Sequence, residues 1–284
     1  MSLPANLLGI FFALTSAFVW GTGDFSGGIA TRRSNQFQVL ALSALSGILA
    51  LVVLAGFRRE PLPGPGSIVW SMLAGASGAL GIACLYRALT MGYTATVAPA
   101  AAVVGAILPV GFGFVTEGSP DSLRLAGFGL ALIGIWLVSQ AKSKRDKTRE
   151  FQRAFLLAIL AGTGFGGFFI FIAQVEAGLI FTPLLFARAV TLLTAIVLLK
   201  TSHVAIPKLA SNSIAWLAGL LDVGGNIFFL LARQYTRLDI AAVLAALYPA
   251  TTVILARLVL KERVSPTQGL GVAFCLAAIM LITV

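Results

Sequence analysis

Three charged side chains in the interior of apolar stretches carry the chemistry of this sequence: Asp24, Arg188 and Asp222. Each would cost about 2.5–3.5 kcal/mol at the centre of a bilayer-spanning helix, so such residues persist where they do something. Asp24 follows Trp20 by four residues, which puts both on one helix face, and Gly23, Gly27 and Gly28 beside it let another backbone approach. A carboxylate there can hold a cationic substrate or take up and release a coupled proton; a structural pairing with Arg32 or Arg33 is the competing reading. Asp222 precedes Asn226 by four residues, with Gly224 and Gly225 between, and makes a polar patch with close backbone access. Arg188 lies about six residues into its apolar stretch. It suits a buried carboxylate or clamps the carboxylate of a substrate; a purely stabilising pair with Asp222 stays open.

Aromatic residues supply walls rather than charges: Trp20, Tyr86, Phe165 and Tyr248 each sit inside an apolar stretch. Pro99, Pro109 and Pro249 are expected to kink their helices and free carbonyls, as hinges or as polar backbone. Arg87, Arg233 and Arg257 lie nearer the ends, where a long side chain snorkels to the interface, and Glu176 is expected to cap its helix. Cys84 and Cys275 have no neighbouring Cys or His, which argues against a disulfide or a metal site. The lone His203 falls in a polar loop, and no cofactor is expected. Gly162-Thr163-Gly164-Phe165-Gly166-Gly167 is glycine-rich but follows no strand and lacks Gly-Lys-Ser/Thr, so it is not read as a phosphate loop. Clustered nucleophiles, histidines or paired carboxylates are absent, so an enzyme is not expected.

The elements that position these residues follow from composition. Hydrophobic residues make up 58% and charged residues 11% of 284, and mean hydropathy is +0.98. A soluble domain carries about 25% charged residues. Repeated apolar stretches near 20 residues mark transmembrane helices, and the net charge of +10 suits lipid headgroups rather than nucleic acid. Met1–Asn6 holds no Lys or Arg, so the first apolar stretch is expected to be retained. Ten spans are counted: 7–30, 37–57, 68–91, 94–116, 123–140, 154–175, 182–199, 214–235, 240–260 and 268–284. A charged linker, 142–153, divides residues 1–141 from 154–284. The halves repeat: Trp20-Gly21 matches Phe165-Gly166, Gly78 matches Gly224, Arg87 matches Arg233, and Gly127 matches Gly271, all at offsets of 144–146. Five spans per half is odd, so the second half enters from the other side. The fold expected is all-α integral membrane, ten transmembrane helices as two inverted five-helix repeats, with a site near the midplane between them. Glycine-rich faces at Gly127, Gly129 and Gly134, and at Gly269 and Gly271, suit close packing or a dimer contact.

With these features the chain resembles the EamA-like permeases of the drug/metabolite transporter superfamily. The closest stretch runs from Tyr248-Pro249-Ala250 to Lys261-Glu262-Arg263 and Gln268-Gly269-Leu270-Gly271. The first half departs from the pattern: Val103 stands where Pro249 would align, and Gln268 has no counterpart. The resemblance implies secondary transport or export of small organic metabolites or drugs by alternating access, without ATP. It also implies that the spans bearing Trp20, Tyr86, Phe165 and Tyr248 line a central cavity. Expected partners are the lipid bilayer, a small-molecule substrate and protons as coupling ion, in a monomer or homodimer of the bacterial cytoplasmic membrane. Readings of another class are a non-transporting scaffold and a membrane-embedded lipid-processing protein.

Two arguments on orientation oppose each other. Loops after odd-numbered spans hold twelve Lys and Arg and those after even-numbered spans four. The positive-inside rule thereby puts the linker in the cytoplasm and both termini outside. The resemblance implies the reverse.

Overall fold

A computed structural model of the chain describes residues 5–89, 91, 94–139, 149–261 and 265–283. Among these residues all regular structure is helical. The elements are α1 (Ala5–Thr31), α2 (Gln36–Arg58), α3 (Pro65–Leu89), α4 (Thr94–Glu117), α5 (Ser122–Val138), α6 (Arg149–Ile172), α7 (Phe181–Thr201), α8 (Ser213–Tyr235), α9 (Leu238–Ala245), α10 (Tyr248–Val259) and α11 (Pro266–Thr283). Among the described residues eight segments are long and apolar enough to cross a membrane, with α9 and α10 together forming one; α5 and α11 are shorter apolar helices. Large apolar side chains such as Phe57 (92% exposed) and Val115 face outward, as lipid-facing residues do.

Two boundaries differ from the sequence reading. The charged linker does not extend to residue 153: α6 begins at Arg149, and Phe151 stacks on Phe155 at 6.1 Å. Its residues 142–148 fall outside the described ones. The ninth span is two helices, because Pro249 in the first turn of α10 has no N–H to continue a ladder from α9. By contrast α4 runs unbroken through Pro99 and Pro109.

The ends of helices are set by local polar chemistry. Asn35 accepts from Phe37 N at 2.9 Å, and Gln38 Oε1 accepts back from Asn35 N at 3.3 Å, a reciprocal cap. Asn212 caps α8 and donates to Ala30 O at 2.9 Å, tying α8 to the end of α1. Ser265 and Gln268 exchange the same pair of bonds at the start of α11. At offset 144 Asp121 stands opposite Ser265 and Arg124 opposite Gln268: Asp121 caps α5 through Arg124 N at 2.9 Å and pairs with the Arg124 side chain at 3.3 Å. That cap, led by the Arg124 N–H, holds the exposed Asp121 carboxyl below its usual range.

Chain neighbours pack little on one another; the principal contacts cross between halves. The pairs α1–α8 and α6–α3 mirror each other, as do α2–α8 and α7–α3, while α2–α7 and α5–α11 are self-paired. The offset is 144 in detail. Arg59 and His203 end α2 and α7 in the same left-handed conformation, φ 51° and 53°, and Glu60 N→Ala55 O and Val204 N→Leu199 O are both 2.9 Å. Gly75 lies against the Ala187 backbone as Gly219 lies against that of Ser43. A Cβ on Gly127 would meet Ile282 Cγ1 at 2.8 Å, and one on Gly271 would meet Leu137 Cβ at 2.9 Å. The small faces of α5 and α11 are therefore spent on each other within one chain; only Gly129 and Gly269 look into open space.

Overpacking such a crossing costs about 1–3 kcal/mol. Gly219→Leu, aimed into the Ser43 backbone, is expected to lower the melting temperature in detergent by several degrees, whereas Gly129→Leu should leave it near wild type. Equal melting of both variants would show that these crossings do not hold the halves together.

Candidate functional site

The crossings leave a cavity of about 530 Å³ between the halves, within the range of ligand pockets. It is lined by α1 from Trp20 to Thr31, by the start of α2, by α3 from Gly75 to Leu85, and by α6, α7 and α8. It extends to the face where α1 and α3 end and α8 begins. Trp20, Asp24, Phe165, Arg188, Asp222, Asn226 and Tyr248 all border it. Tyr86 stands on α3, but its side chain lies outside the described residues, as does that of Pro99. Pro109 is not among the cavity-lining residues.

Arg188 reaches from α7 to form an ion pair with Asp222 of α8. The Arg188 side chain is 11% exposed and that of Asp222 42%, so the pair shows its acidic partner to the cavity. Space for the guanidinium comes from Gly47, where a Cβ would stand 3.4 Å from Arg188 Nε. Two side chains converge on the backbone behind it: Trp20 Nε1 donates to Asp222 O at 3.1 Å and Asn226 Nδ2 at 2.6 Å. The ring of Trp20 lies on Gly225. The close backbone access expected at Gly225 is thus taken by α1 and not left to a ligand. Phe165 occupies the mirror position on Gly81, whose Cβ would meet its ring at 2.9 Å. An aromatic floor joins them: Trp20–Phe169 at 5.5 Å, Phe169–Phe229 at 4.8 Å and Phe168–Phe169 at 6.0 Å.

Asp24 is exposed to the cavity. Neither Arg32 nor Arg33 pairs with it: among the described residues its carboxylate has no hydrogen-bond or ion-pair partner. Tyr248 sits at the α9–α10 break, where its carbonyl accepts from Thr252 Oγ1 at 3.2 Å. The break lets Gly21 of α1 approach that same carbonyl.

The opposite face is closed. All eight residues of α9 are buried, and a network of four charges seals its start. Arg233 Nη2 pairs with Glu117 Oε1 at 2.7 Å, and Arg237 Nη2 with Asp239 Oδ2 at 2.7 Å, Asp239 being 0% exposed. Arg237 also donates to Glu117 O at 2.8 Å, and Leu238 N to Glu117 Oε2 at 3.2 Å. The Asp239 carboxylate holds the Arg237 guanidinium above its usual range. Arg233 therefore does not snorkel; it faces inward. Nearby, Glu60 Oε1 accepts from Thr182 N at 2.7 Å and Oγ1 at 2.9 Å, pinning the start of α7 to the α2–α3 loop. Glu176 lies in the loop beyond α6, beside Gly64.

Sequence reasoning missed Phe168, Phe169 and Thr191 in the cavity and the whole of the sealed-face network. The signal that could have found the first two is the glycine-rich run just before them. Gly162, Gly164, Gly166 and Gly167 let α6 touch α4 on one side and α3 on the other, which fixes where the following rings fall.

Comparison with known proteins agrees with this architecture. A solved structure described only as "Crystal structure of protein" superposes with a TM-score of 0.76 over 97% of this chain and 98% of its own, at 16% identity, a likeness of fold. No curated protein matches. The EamA-like transporter family matches residues 7–140 and again 147–284, one repeat for each set of mirrored helices. The chain is a multi-pass membrane protein belonging to the EamA-like transporter family.

Proposed function

We propose that the chain is a secondary transporter of small organic solutes across the cytoplasmic membrane, working by alternating access between two inverted five-helix repeats. The observation that carries this reading is the asymmetry of the cavity. It lies between the repeats, reaches one face, and is shut from the other by α9 and the four-charge network. Ten crossings result if α5 and α11, tied to each other at Gly127 and Gly271, also span. The charged groups Asp24, Arg188 and Asp222 in that cavity favour a site for a solute over a scaffold. The substrate would enter against Asp24, Trp20, Phe165 and Tyr248, with Arg188 and Asp222 as the polar wall of the second repeat. Transport to the far side would separate Glu117 from Arg233 and release Thr182 from Glu60 while the open face closes. In this reading the α9–α10 break at Pro249 is the hinge, and Asp24 is the carboxylate for a coupled proton or a cationic solute. The excess of Lys and Arg on the open face places that face in the cytoplasm.

The Glu117–Arg233 pair is partly exposed, 20% and 30%, so removing one partner costs less than the roughly 3–5 kcal/mol of a fully buried pair but still leaves Arg233 without its countercharge. Glu117→Gln is therefore expected to open the sealed face. With Cys84 and Cys275 replaced by Ala, a Cys at Ala242 should react slowly with a hydrophilic maleimide, and several-fold faster once Glu117→Gln is added. No change in rate would sink the gate. Asp24→Asn removes a carboxylate that has no hydrogen-bond or ion-pair partner among the described residues, so it should insert and melt like wild type while losing transport in proteoliposomes; unchanged uptake would take Asp24 out of the site. A reporter fused after Val284 is expected to lie outside the cytoplasm, and a cytoplasmic C-terminus would reverse the assigned orientation.

A further inference from the structure

The charges that line the cavity do not cancel. Arg188 and Asp222 neutralise each other. Asp24 remains, aimed into the cavity, with no hydrogen bond or ion pair among the described residues. The side chains around it cannot supply a countercharge: Trp20 spends its N–H on Asp222 O, Asn226 does the same, and Thr191 Oγ1 donates to Ala187 O. The remaining lining joins the rings of Phe165, Phe168 and Tyr248 to aliphatic side chains such as Ile82, Leu85 and Leu184, and none of these carries a positive charge. A negative charge in a site with aromatic and aliphatic walls suits an organic cation. An ammonium or guanidinium group would meet the carboxylate, and its substituents the rings. Water and salt screen Arg32 and Arg33, exposed in the α1–α2 turn, over about 8 Å. Asp24 lies some eight helical residues deeper than Arg32, about 12 Å at the rise of an α-helix. The rim arginines do not offset it.

We infer that the cavity takes an organic monocation bearing an apolar or aromatic body, with the Asp24 carboxylate as its anchor. This rests on the transport reading above and names its substrate class. A zwitterion would have to draw Arg188 away from Asp222 to place its carboxylate; a monocation leaves that pair intact.

Four probes of one size and different charge test it: phenethylamine, phenylalanine, 3-phenylpropionate and 3-phenylpropan-1-ol. Binding to the purified full chain in nanodiscs is measured at neutral pH by calorimetry and by thermal shift. Phenethylamine is expected to bind at least tenfold more tightly than the other three. Asp24→Asn should abolish that preference without lowering the unliganded melting temperature, and Asp24→Glu should restore most of it. Equal or tighter binding of the alcohol or the anion to wild type overturns the assignment, whatever the variants do. Tightest binding of phenylalanine also overturns it, in favour of a site that reads both charges. Undiminished amine binding by Asp24→Asn removes the anchor. Binding of none of the four overturns the cation class, while uptake of any other solute by proteoliposomes would leave the transport reading standing.

Discussion

The structure depends on backbone meeting backbone across the two repeats. In lipid there is no hydrophobic gain from bringing helices together, so association rests on close van der Waals contact and on small residues that permit it. Gly75 against Ala187 and Gly219 against Ser43 are the two halves of one such crossing. Gly127 with Ile282 and Gly271 with Leu137 make another. Each crossing fixes two helices from different repeats, so neither repeat packs properly alone. The cavity is what these crossings enclose, and the reach of Arg188 past Gly47 to Asp222 exists only because the α2–α7–α8 crossing is this close.

On that symmetric frame the polar residues are placed asymmetrically. At the offset of 144, Asp24 falls opposite Phe168, Asp222 opposite Gly78, Arg188 opposite Ala44, Asn226 opposite Ile82 and Tyr248 opposite Val104. Every polar group in the cavity has an apolar or small counterpart. The repeat supplies walls of the same shape from both sides, and the differences between its copies supply the chemistry. This is the reason a match of repeats identifies the family without identifying the solute.

The same distinction explains how much could be read from the sequence. The repeat was legible because glycines and aromatic–Gly pairs recur at nearly fixed spacing: Trp20 on Gly225 and Phe165 on Gly81 do the same steric work, as do Gly127 and Gly271, whereas Gly78 with Gly224 and Arg87 with Arg233 stand two residues out of the register of 144. Trp20, Asp24, Phe165, Arg188, Asp222, Asn226 and Tyr248 stood out because polar and aromatic residues inside apolar helices are few. Which helices touch was not legible: most lipid-facing and most buried residues of α1 and α8 are alike apolar, and no residue type names a partner helix. Nor was the sealed face. Glu117, Arg237 and Glu60 sit at helix ends and read as ordinary loop polarity, and only the fold brings Glu117 to Arg233 across more than a hundred residues. The α9–α10 break was foreshadowed by Pro249, yet Pro99 and Pro109 gave the same signal inside an unbroken α4.

The sealed face has a consequence for how the repeats could exchange conformations. If the open face closed by the mirror movement, the first two turns of α4 would take the place of α9. The residues opposite Arg233, Arg237 and Asp239 are then Leu89, Tyr93 and Ala95, and opposite Glu117 stands Lys261. Those positions do not repeat the four charges that lock the sealed face. The two ends would close with different side chains, so the two states of an inverted repeat need not be equal in energy even though their backbones are related by symmetry. The charges at Glu117, Arg233, Arg237 and Asp239 favour the arrangement seen, and a solute or proton binding at Asp24 would have to supply the difference through contacts it makes more strongly in the other state.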